Sequence, residues 1–288
     1  MLYQMYRLSR WVAMRLLRRV SYRIGLIFSD LHYLFSHEDR RCVAKNLACI
    51  LGENHPDIPG YSRQVFGNFA KYLVDFFRFE KFDEQFLSEH IQIIGEENVD
   101  EAVSGGKGAI LLSAHLGNYE LAALVARKKG PVTAIVLTHQ DPQIDSFFTC
   151  QRRLSKVNPI PVGMSLRAGF KALRRGEFLG VVGDRDFFDN GLKIQFLGKE
   201  MSAPKGPAIF SVRTGAPIVP TTLIREPNDD FRMIYEKPIY PRAGADEQEE
   251  IERLTRESVA VLERYVKENP TQWYFFREFW NPGPWIIR

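Results

Sequence analysis

The pattern of hydrophobic and polar positions predicts helices early in the chain and an alternation of strands and helices after residue 105. Apolar residues recur at helical spacing over residues 38–51 and 61–79, which predicts two helices. From residue 109 onward, short apolar runs typical of buried strands alternate with helical patterns. The predicted strands are residues 109–113, 132–137, 159–162, 178–182, 193–196, 217–223 and 232–235. The predicted helices among them are residues 117–129, 145–156, 165–175, 204–214 and 246–268.

Strands that alternate with helices predict an α/β fold, in which a mainly parallel central sheet is flanked by helices on both faces. In such folds, ligands bind beyond the carboxyl ends of the strands. The length of 288 residues suits one large domain or two small ones. We expect an amphipathic helix at residues 1–30, followed by a single domain over residues 31–288.

The first 29 residues contain six arginines and no acid, although the whole chain has a net charge of only +4. At helical spacing, an apolar stripe lies beside a stripe of arginines. The apolar stripe consists of Leu8, Val12, Leu16, Val20 and Ile24, and the basic stripe consists of Arg15, Arg19 and Arg23. Arginine interrupts the segment too often for a signal peptide or for a span of roughly 20 apolar residues. This pattern indicates a helix that lies in the headgroup plane of an anionic membrane. The alternative is a helix packed on its own domain, with its arginines in solvent.

The composition excludes several other classes of protein. The 45% apolar content is ordinary for a globular protein, and the mild net charge does not favour a nucleic-acid partner. The three cysteines have no C-x-x-C spacing, so neither a disulfide framework nor a zinc pattern is present and a reducing compartment is expected.

A histidine and a glutamate five residues apart form the first candidate site. His115 follows the predicted strand 109–113, and Glu120 lies in the first turn of the next helix. A carboxylate bonded to one ring nitrogen would fix the tautomer and leave the other nitrogen free as a base. Gly117 allows close backbone approach, and Asn118 can cap the helix or bind substrate. With 35 acids in the chain, this spacing alone is close to a chance event, and a structural histidine is the alternative.

Charged residues also follow the predicted strand 178–182, and one lies at the start of the predicted helix 204–214. Asp184, Arg185 and Asp186 follow the strand directly, where such residues either cap turns or form a site. Lys205 lies where a helix begins, beside backbone N–H groups that suit an anion.

Several segments, taken together and in order, resemble the bacterial lipid A secondary (lauroyl/myristoyl) acyltransferases, which include the phosphatidylinositol mannoside acyltransferases. These enzymes belong to the glycerolipid acyltransferase superfamily. The segments are residues 108–120 with the H-x-x-x-x-[DE] block, Arg40-Arg41-x-x-x-x-Asn46-Leu47, residues 173–176, and residues 269–280 with Gln272-Trp273. The Asp184-Arg185-Asp186 block is closer to the mannoside branch than to the lipid A branch.

The resemblance implies an enzyme that moves a fatty acyl chain from acyl carrier protein or coenzyme A to a hydroxyl group of a lipid A precursor or related glycolipid. It implies His115 as general base, with Glu120 orienting it. The implied substrate-binding residues are Asn118, Arg153 (rather than Arg152), Asp184, Arg185, Asp186 and Lys205. A solvated helix face is the alternative for Arg153, and Arg185 could hold a phosphate or pair with a neighbouring aspartate.

No metal or cofactor is expected, and no nucleic acid. The expected partners are an anionic membrane surface, the acyl thioester and the lipid acceptor, at the cytoplasmic face of the bacterial inner membrane. Within the same class, a phosphatidylinositol mannoside-type or lysophospholipid acyltransferase is the alternative. From other classes, a metal-dependent hydrolase with His115, Asp184 and Asp186 as ligands and a non-catalytic lipid-binding protein of the same fold remain open.

Overall fold

The computed structural model describes residues 2–187 and 190–280. These residues form α-helices that we number in chain order: α1 Leu2–Arg15, α2 Arg18–Phe35, α3 His37–Leu51, α4 Ile58–Phe77, α5 Glu84–His90, α6 Glu96–Ser104, α7 Tyr119–Ala126, α8 Pro142–Leu154, α9 Ser165–Arg174, α10 Gly206–Thr214 and α11 Glu247–Glu268. The strands are β1 Ile91–Ile94, β2 Ala109–Ser113, β3 Val132–Val136, β4 Asn158–Pro161, β5 Phe178–Val182, β6 Leu192–Phe196, β7 Lys199–Ala203, β8 Ile218–Arg225 and β9 Phe231–Tyr235.

The predicted α/β fold is confirmed, because the described residues form a seven-stranded, mostly parallel sheet in the order β1-β9-β8-β2-β5-β3-β4. Only the β8–β9 pairing is antiparallel within it, and β6 and β7 form a separate hairpin. Helices cover both faces over two apolar cores. One core lies under α1, α4, α7 and α8, whereas the other lies under α9, α10 and α11. Strand β2, which precedes His115, lies near the middle of this sheet.

The predicted single helix over residues 1–30 is wrong, since two helices occupy this part of the chain. The first helix ends at Arg15, and α2 begins at Arg18 and continues to Phe35, beyond the predicted boundary. Between them, Leu17 adopts an extended backbone conformation with φ −61° and ψ 147°. The apolar stripe of the sequence is therefore divided between two helices that can take different directions.

The two N-terminal helices pack against the domain on one side and expose apolar residues on the other. Of the seventeen large apolar residues that are exposed in the described part of the chain, twelve lie between Leu2 and Phe35. Phe28 and Phe35 are 67% and 78% exposed. No helix in residues 2–187 and 190–280 is both long and apolar enough to span a membrane.

Candidate active site

The site is built where two neighbouring parallel strands end. Ser113 of β2 and Val182 of β5 are paired in register, and the Gly183 amide donates to the Ser113 carbonyl at 2.8 Å. His115 and Asp184 each lie two residues beyond this pair, so the sheet places them side by side. His115 Nδ1 lies 2.6 Å from Asp184 Oδ1. Gly183 suits this approach, because a Cβ there would lie 2.5 Å from Leu112 Cδ1.

Asp184 accepts three hydrogen bonds that hold its carboxylate against the imidazole. Besides Nδ1, the His115 backbone amide donates to Oδ2 at 2.9 Å, and Trp273 Nε1 donates to Oδ2 at 3.0 Å. Burial opposes ionisation of Asp184, but His115, the charge of Arg185 and the amide hydrogen bond together hold the pKa of this carboxyl group well below its usual value. Asp184 is therefore an ionised acceptor that fixes both the ring and the backbone of His115.

The His115 imidazole has one nitrogen bound to a carboxylate, and the residue lines a cavity. Since the ionised Asp184 occupies Nδ1, this nitrogen carries the proton, and Nε2 remains as the free nitrogen of a residue that lines the cavity. Burial and the charge of Arg185 lower the pKa of His115, against the opposing effect of Asp184. An imidazole held neutral in this way can accept a proton at neutral pH, which is the requirement for a general base.

Glu120 does not orient His115, and this part of the predicted site is wrong. Its carboxylate instead binds Arg152 of α8, which donates from Nη2 to Oε1 at 2.6 Å and from Nε to Oε1 and Oε2 at 3.0 and 3.2 Å. Although burial lowers the pKa of Arg152, the charge of Glu120 raises it above its usual value. Both side chains line the cavity, so the pair forms part of its polar wall.

The backbone between His115 and Glu120 explains why the glutamate points elsewhere. The Gly117 amide donates to the Gln272 carbonyl at 2.9 Å, and the Asn118 amide donates to the Leu223 carbonyl at 2.8 Å. Gly117 has φ +61°, and a Cβ there would lie 2.0 Å from the Leu223 carbonyl oxygen. The chain is thus held in a tight turn before α7 begins, and Glu120 in the first turn of α7 reaches α8 instead of the imidazole.

Asn118 is a helix cap and does not line the cavity. Its Oδ1 accepts from the Leu121 amide at 3.1 Å, and its Nδ2 donates to the buried Asp75 at 3.2 Å. With its side chain buried and engaged at both ends, it is not available to substrate. The predicted substrate-binding role of Asn118 is therefore wrong, whereas its predicted capping role is confirmed.

Of the other predicted substrate-binding residues, three line the cavity and two do not. Arg185, Asp186 and Lys205 line the cavity. Asp184 is fully buried against His115 and is not among the lining residues, so it is a partner of His115 and not a direct contact for substrate. Arg153 is exposed and does not line the cavity, whereas the adjacent Arg152 does. On α8, Arg152 shares a face with Phe148, which packs inward, whereas Arg153 is turned by a further 100° towards solvent.

Arg185 and Asp186 also have structural partners. Arg185 Nη2 donates to the Tyr274 carbonyl at 2.9 Å, and its guanidinium carbon lies 4.3 Å from the centre of the Phe275 ring. Asp186 accepts from the Gly191 amide at 2.7 Å and from Ser202 Oγ at 2.6 Å. Asp186 therefore ties the β6–β7 hairpin to the site, while Arg185 holds a positive charge close to His115.

The cavity beside His115 has a volume of about 1430 Å³. It exceeds the ~300–1,000 Å³ that is usual for small-molecule sites, so it has room for more than one substrate group. On the α7 side of the sheet its lining is apolar and includes small residues, namely Leu111, Ala122, Val132, Ala134 and Gly180. Its polar wall carries His115, Arg185 and the Glu120–Arg152 pair.

A second histidine, His139, lines the same cavity. It follows strand β3 and lies against Phe148, with the ring centres 4.7 Å apart. Within residues 2–187 and 190–280, however, no three His, Cys, Asp or Glu side chains are grouped so that they could hold a metal ion.

Comparison with known proteins places this site in a family. Residues 4–281 match the family model described as bacterial lipid A biosynthesis acyltransferase. The chain belongs to this family. The match spans the His115 turn, the Asp184 strand end and the Trp273 segment, which are the three parts that the structure brings together.

Two named relatives of this acyltransferase cover most of its length. A phosphatidylinositol mannoside acyltransferase of Mycolicibacterium smegmatis is 23% identical over 245 residues, which are 82% of this chain and 78% of the relative. One of Mycobacterium tuberculosis is 22% identical over 278 residues, 94% of this chain and 86% of the relative. A solved structure, the 1-acyl-sn-glycerophosphate (LPA) acyltransferase PlsC of Thermotoga maritima, is also similar, with 14% identity, a TM-score of 0.39, and coverage of 85% and 97%.

Three features of the candidate site were not predicted from the sequence. The Asp184 contact with His115 depends on β2 and β5 being neighbours, although two strands and three helices separate them along the chain. Trp273, which binds Asp184, lies in an irregular segment near the C-terminus. Arg152 and Arg153 are adjacent and differ only in the direction in which they leave the helix. The spacing of four residues between Arg152 and the inward-facing Phe148 is the signal that could have identified Arg152.

Proposed function

We propose that this acyltransferase moves a fatty acyl chain from an acyl thioester to a hydroxyl group of a membrane glycolipid, with His115 as the general base. The observation that carries the proposal is the His115–Asp184 hydrogen bond, which engages Nδ1 of this cavity-lining histidine and leaves Nε2 as its free nitrogen. Asp184 takes the orienting role that the sequence had assigned to Glu120. The burial of the pair and the family membership of the chain support the same assignment.

The proposed reaction is direct transfer in one site. His115 Nε2 takes the proton of the acceptor hydroxyl while the hydroxyl oxygen attacks the carbonyl carbon of the thioester. The carbon–sulfur bond then breaks, an ester forms, and the departing sulfur takes the proton back from His115. Arg185 lies close enough to affect the pKa of His115, so its charge is well placed to stabilise the oxyanion that develops during attack.

The apolar part of the cavity supports binding of the acyl chain. Its lining on the α7 side consists of small and aliphatic residues, which leave space for a linear hydrocarbon. The Glu120–Arg152 pair borders this region and offers charge and hydrogen bonding to polar groups of the substrates. We assign Glu120 to substrate binding together with Arg152.

The N-terminal helices support association with a membrane surface. Their outward side combines twelve exposed large apolar residues with exposed arginines at positions 7, 15, 19 and 23. Apolar side chains that enter the headgroup region beside arginines favour an anionic bilayer surface. We propose that the enzyme lies on the cytoplasmic face of the bacterial inner membrane without crossing it.

Two classes of acceptor follow from the comparisons. The family description favours a lipid A precursor, whereas the two named relatives favour a phosphatidylinositol mannoside-type lipid. Both are glycolipids with free hydroxyl groups. Mass spectrometry of membrane lipids with and without the protein distinguishes them, because the species that loses one acyl chain identifies the acceptor. A loss confined to phospholipids that carry no sugar would contradict both.

The catalytic assignment is tested by His115→Ala in an acyl-transfer assay with the purified enzyme. We expect the rate to fall by about 10²- to 10⁴-fold, because the general base is lost. His90→Ala is a matched control, since His90 Nδ1 makes the same 2.6 Å contact with a carboxylate, that of Asp230, beside the edge strand β1. The assignment fails if His115→Ala retains the wild-type rate or if both variants lose activity equally.

A further inference from the structure

One outward stripe of helix α9 carries only positive charge. Arg167, Lys171 and Arg174 recur at i, i+4 and i+7, so they lie on one face of the helix, and all three are exposed. Met164, one turn before Arg167, begins the same stripe. The sequence contains no acid between residues 146 and 176. We call this stripe, from Met164 to Arg174, the basic face of α9.

The charges of the basic face are not neutralised within the domain. Among the described residues, Arg167, Lys171 and Arg174 form no ion pair, whereas the neighbouring Arg175 pairs with Glu177 at 2.7 Å. Elsewhere, Lys129 and Arg253 each pair with two acids. An unpaired stripe of one sign produces a local field that attracts and orients a partner of opposite charge.

The basic face also has an apolar end, and this end reaches the active site. Met164 is 70% exposed and Leu166 is 56% exposed. Leu166 and the nearby Val162 line the cavity that contains His115, as does Lys205 at the start of α10. A partner that covers the basic face would therefore lie at an opening of the cavity, with apolar contacts nearest the opening.

The basic face is on the opposite side of the sheet from the N-terminal helices. Leu173 and Phe170 of α9 belong to the core under α10 and α11, whereas Ala13 and Tyr6 of α1 belong to the core under α4 and α7. If α1 and α2 contact the membrane, α9 lies on another side of the domain. Its partner then approaches from the aqueous phase.

We propose that the basic face of α9 docks an acidic acyl carrier protein, which delivers the acyl thioester to His115. The proposal rests on the proposed function and selects the carrier protein over coenzyme A as the donor. The ten residues of α9 span about 15 Å, which matches a helix that presents several carboxylates better than the clustered phosphates of one nucleotide. Met164 and Leu166 add the exposed apolar contact that a protein partner covers at the centre of an interface.

The test compares the full-length wild type with a triple variant, Arg167→Glu, Lys171→Glu and Arg174→Glu. The kcat/KM of each enzyme is measured with three different acyl donors. With acyl carrier protein as donor, we expect kcat/KM to fall at least 10-fold, mainly through KM. With acyl coenzyme A or an acyl pantetheine thioester, we expect less than a 2-fold change, since these donors do not need the basic face. Raising the salt concentration should weaken only the reaction of the wild type with the carrier protein.

The control variant reverses three exposed cations elsewhere, Lys128, Lys237 and Arg256, and should keep the wild-type kcat/KM with every donor. Docking is overturned if the α9 variant uses the carrier protein as well as the wild type does. It is also overturned if that variant loses binding to phosphatidylglycerol vesicles, because α9 would then face the membrane. Failure of the wild type with all donors would instead overturn the proposed function.

Discussion

At the scale of single residues, the site depends on two side chains that are 69 positions apart in the sequence and share a 2.6 Å hydrogen bond. Strand register creates this contact, because Ser113 and Val182 are paired two residues before His115 and Asp184. Glu120, only five residues from His115, binds Arg152 instead. Proximity in the sequence was thus a poorer guide than position along the sheet edge.

The Asp184→Asn variant tests two effects of Asp184 on His115, the orientation of the imidazole and the electrostatic effect on its pKa. We expect the plateau of kcat/KM to fall by about 10²- to 10⁴-fold, because the imidazole loses its orienting carboxylate. The pKa of His115 already lies below its usual value, and Asp184 opposes that shift. Removing its charge lowers the pKa of His115 further, so the acid limb of the pH–rate profile should move to lower pH.

The measurement is kcat/KM between pH 4 and 9, in which activity is lost as the pH falls through the pKa of His115. Asp186→Asn is the comparison, because this aspartate binds Gly191 and Ser202 of the hairpin and not the imidazole. Its acid limb should stay where the wild type has it. An unshifted or raised acid limb in Asp184→Asn would contradict the electrostatic role of Asp184.

At the scale of elements, the N-terminal helices have two different faces. On the inward side, the Tyr6 ring of α1 stacks on Phe147 of α8 and meets Phe148 edge to face, and Tyr22 of α2 is buried. Outward, apolar side chains are exposed along both helices. Packing on the domain is therefore confirmed for one side of these helices, whereas membrane contact by the exposed side stays a prediction.

Replacing two outward phenylalanines tests the membrane-facing side of α2. We expect Phe28→Glu with Phe35→Glu to weaken binding to anionic vesicles roughly 100-fold, because burial of each ring contributes about 1.5–3 kcal/mol. Stability should change little, since both side chains are largely exposed. Vesicle co-sedimentation measures the binding, and Ile94→Glu with Tyr240→Glu, at exposed sites far along the chain, is the control. Equal binding by the two double variants would exclude α2 as the contact surface.

At the scale of the whole molecule, a buried polar network joins α2, α4 and the sheet to the catalytic turn. Asp75 accepts from Tyr22 Oη and from Arg225 Nη2, each at 2.5 Å, and from Asn118 Nδ2 at 3.2 Å. Asn118 in turn caps the helix that carries Glu120. The same carboxylate therefore holds α2 and one side of the turn that follows His115.

Breaking this network should destabilise the protein strongly. We expect Asp75→Ala to lower the free energy of unfolding by about 3–5 kcal/mol, because Arg225 is left buried without its carboxylate. Tyr22→Phe should also destabilise the protein, by at least about 1.5–3 kcal/mol, since the lost hydroxyl donates to Asp75 and accepts from Arg18 Nε and Arg225 Nη1. Urea unfolding measures both. Arg63→Ala, which breaks the exposed pair with Asp30, should change little, and an effect of equal size there would contradict the argument.

The sequence by itself determined the elements and the ends of strands at which the chemistry lies. Hydrophobic periodicity identified β2, β5 and most helices, because burial of one face depends on local spacing. Strand β1 and the break at Leu17 escaped it, since β1 is short and only partly buried, and helical spacing continues through the break. His115, Arg185, Asp186 and Lys205, which the sequence offered as site residues, all line the cavity.

Only the tertiary structure decided which partners these residues have. Strand order joined His115 to Asp184, helix packing joined Glu120 to Arg152, and the C-terminal segment brought Trp273 to Asp184. Such contacts depend on which strands are neighbours and on the direction in which a capped helix leaves the sheet. No local pattern of residues encodes either property, because both result from how the two cores on the faces of the sheet pack together.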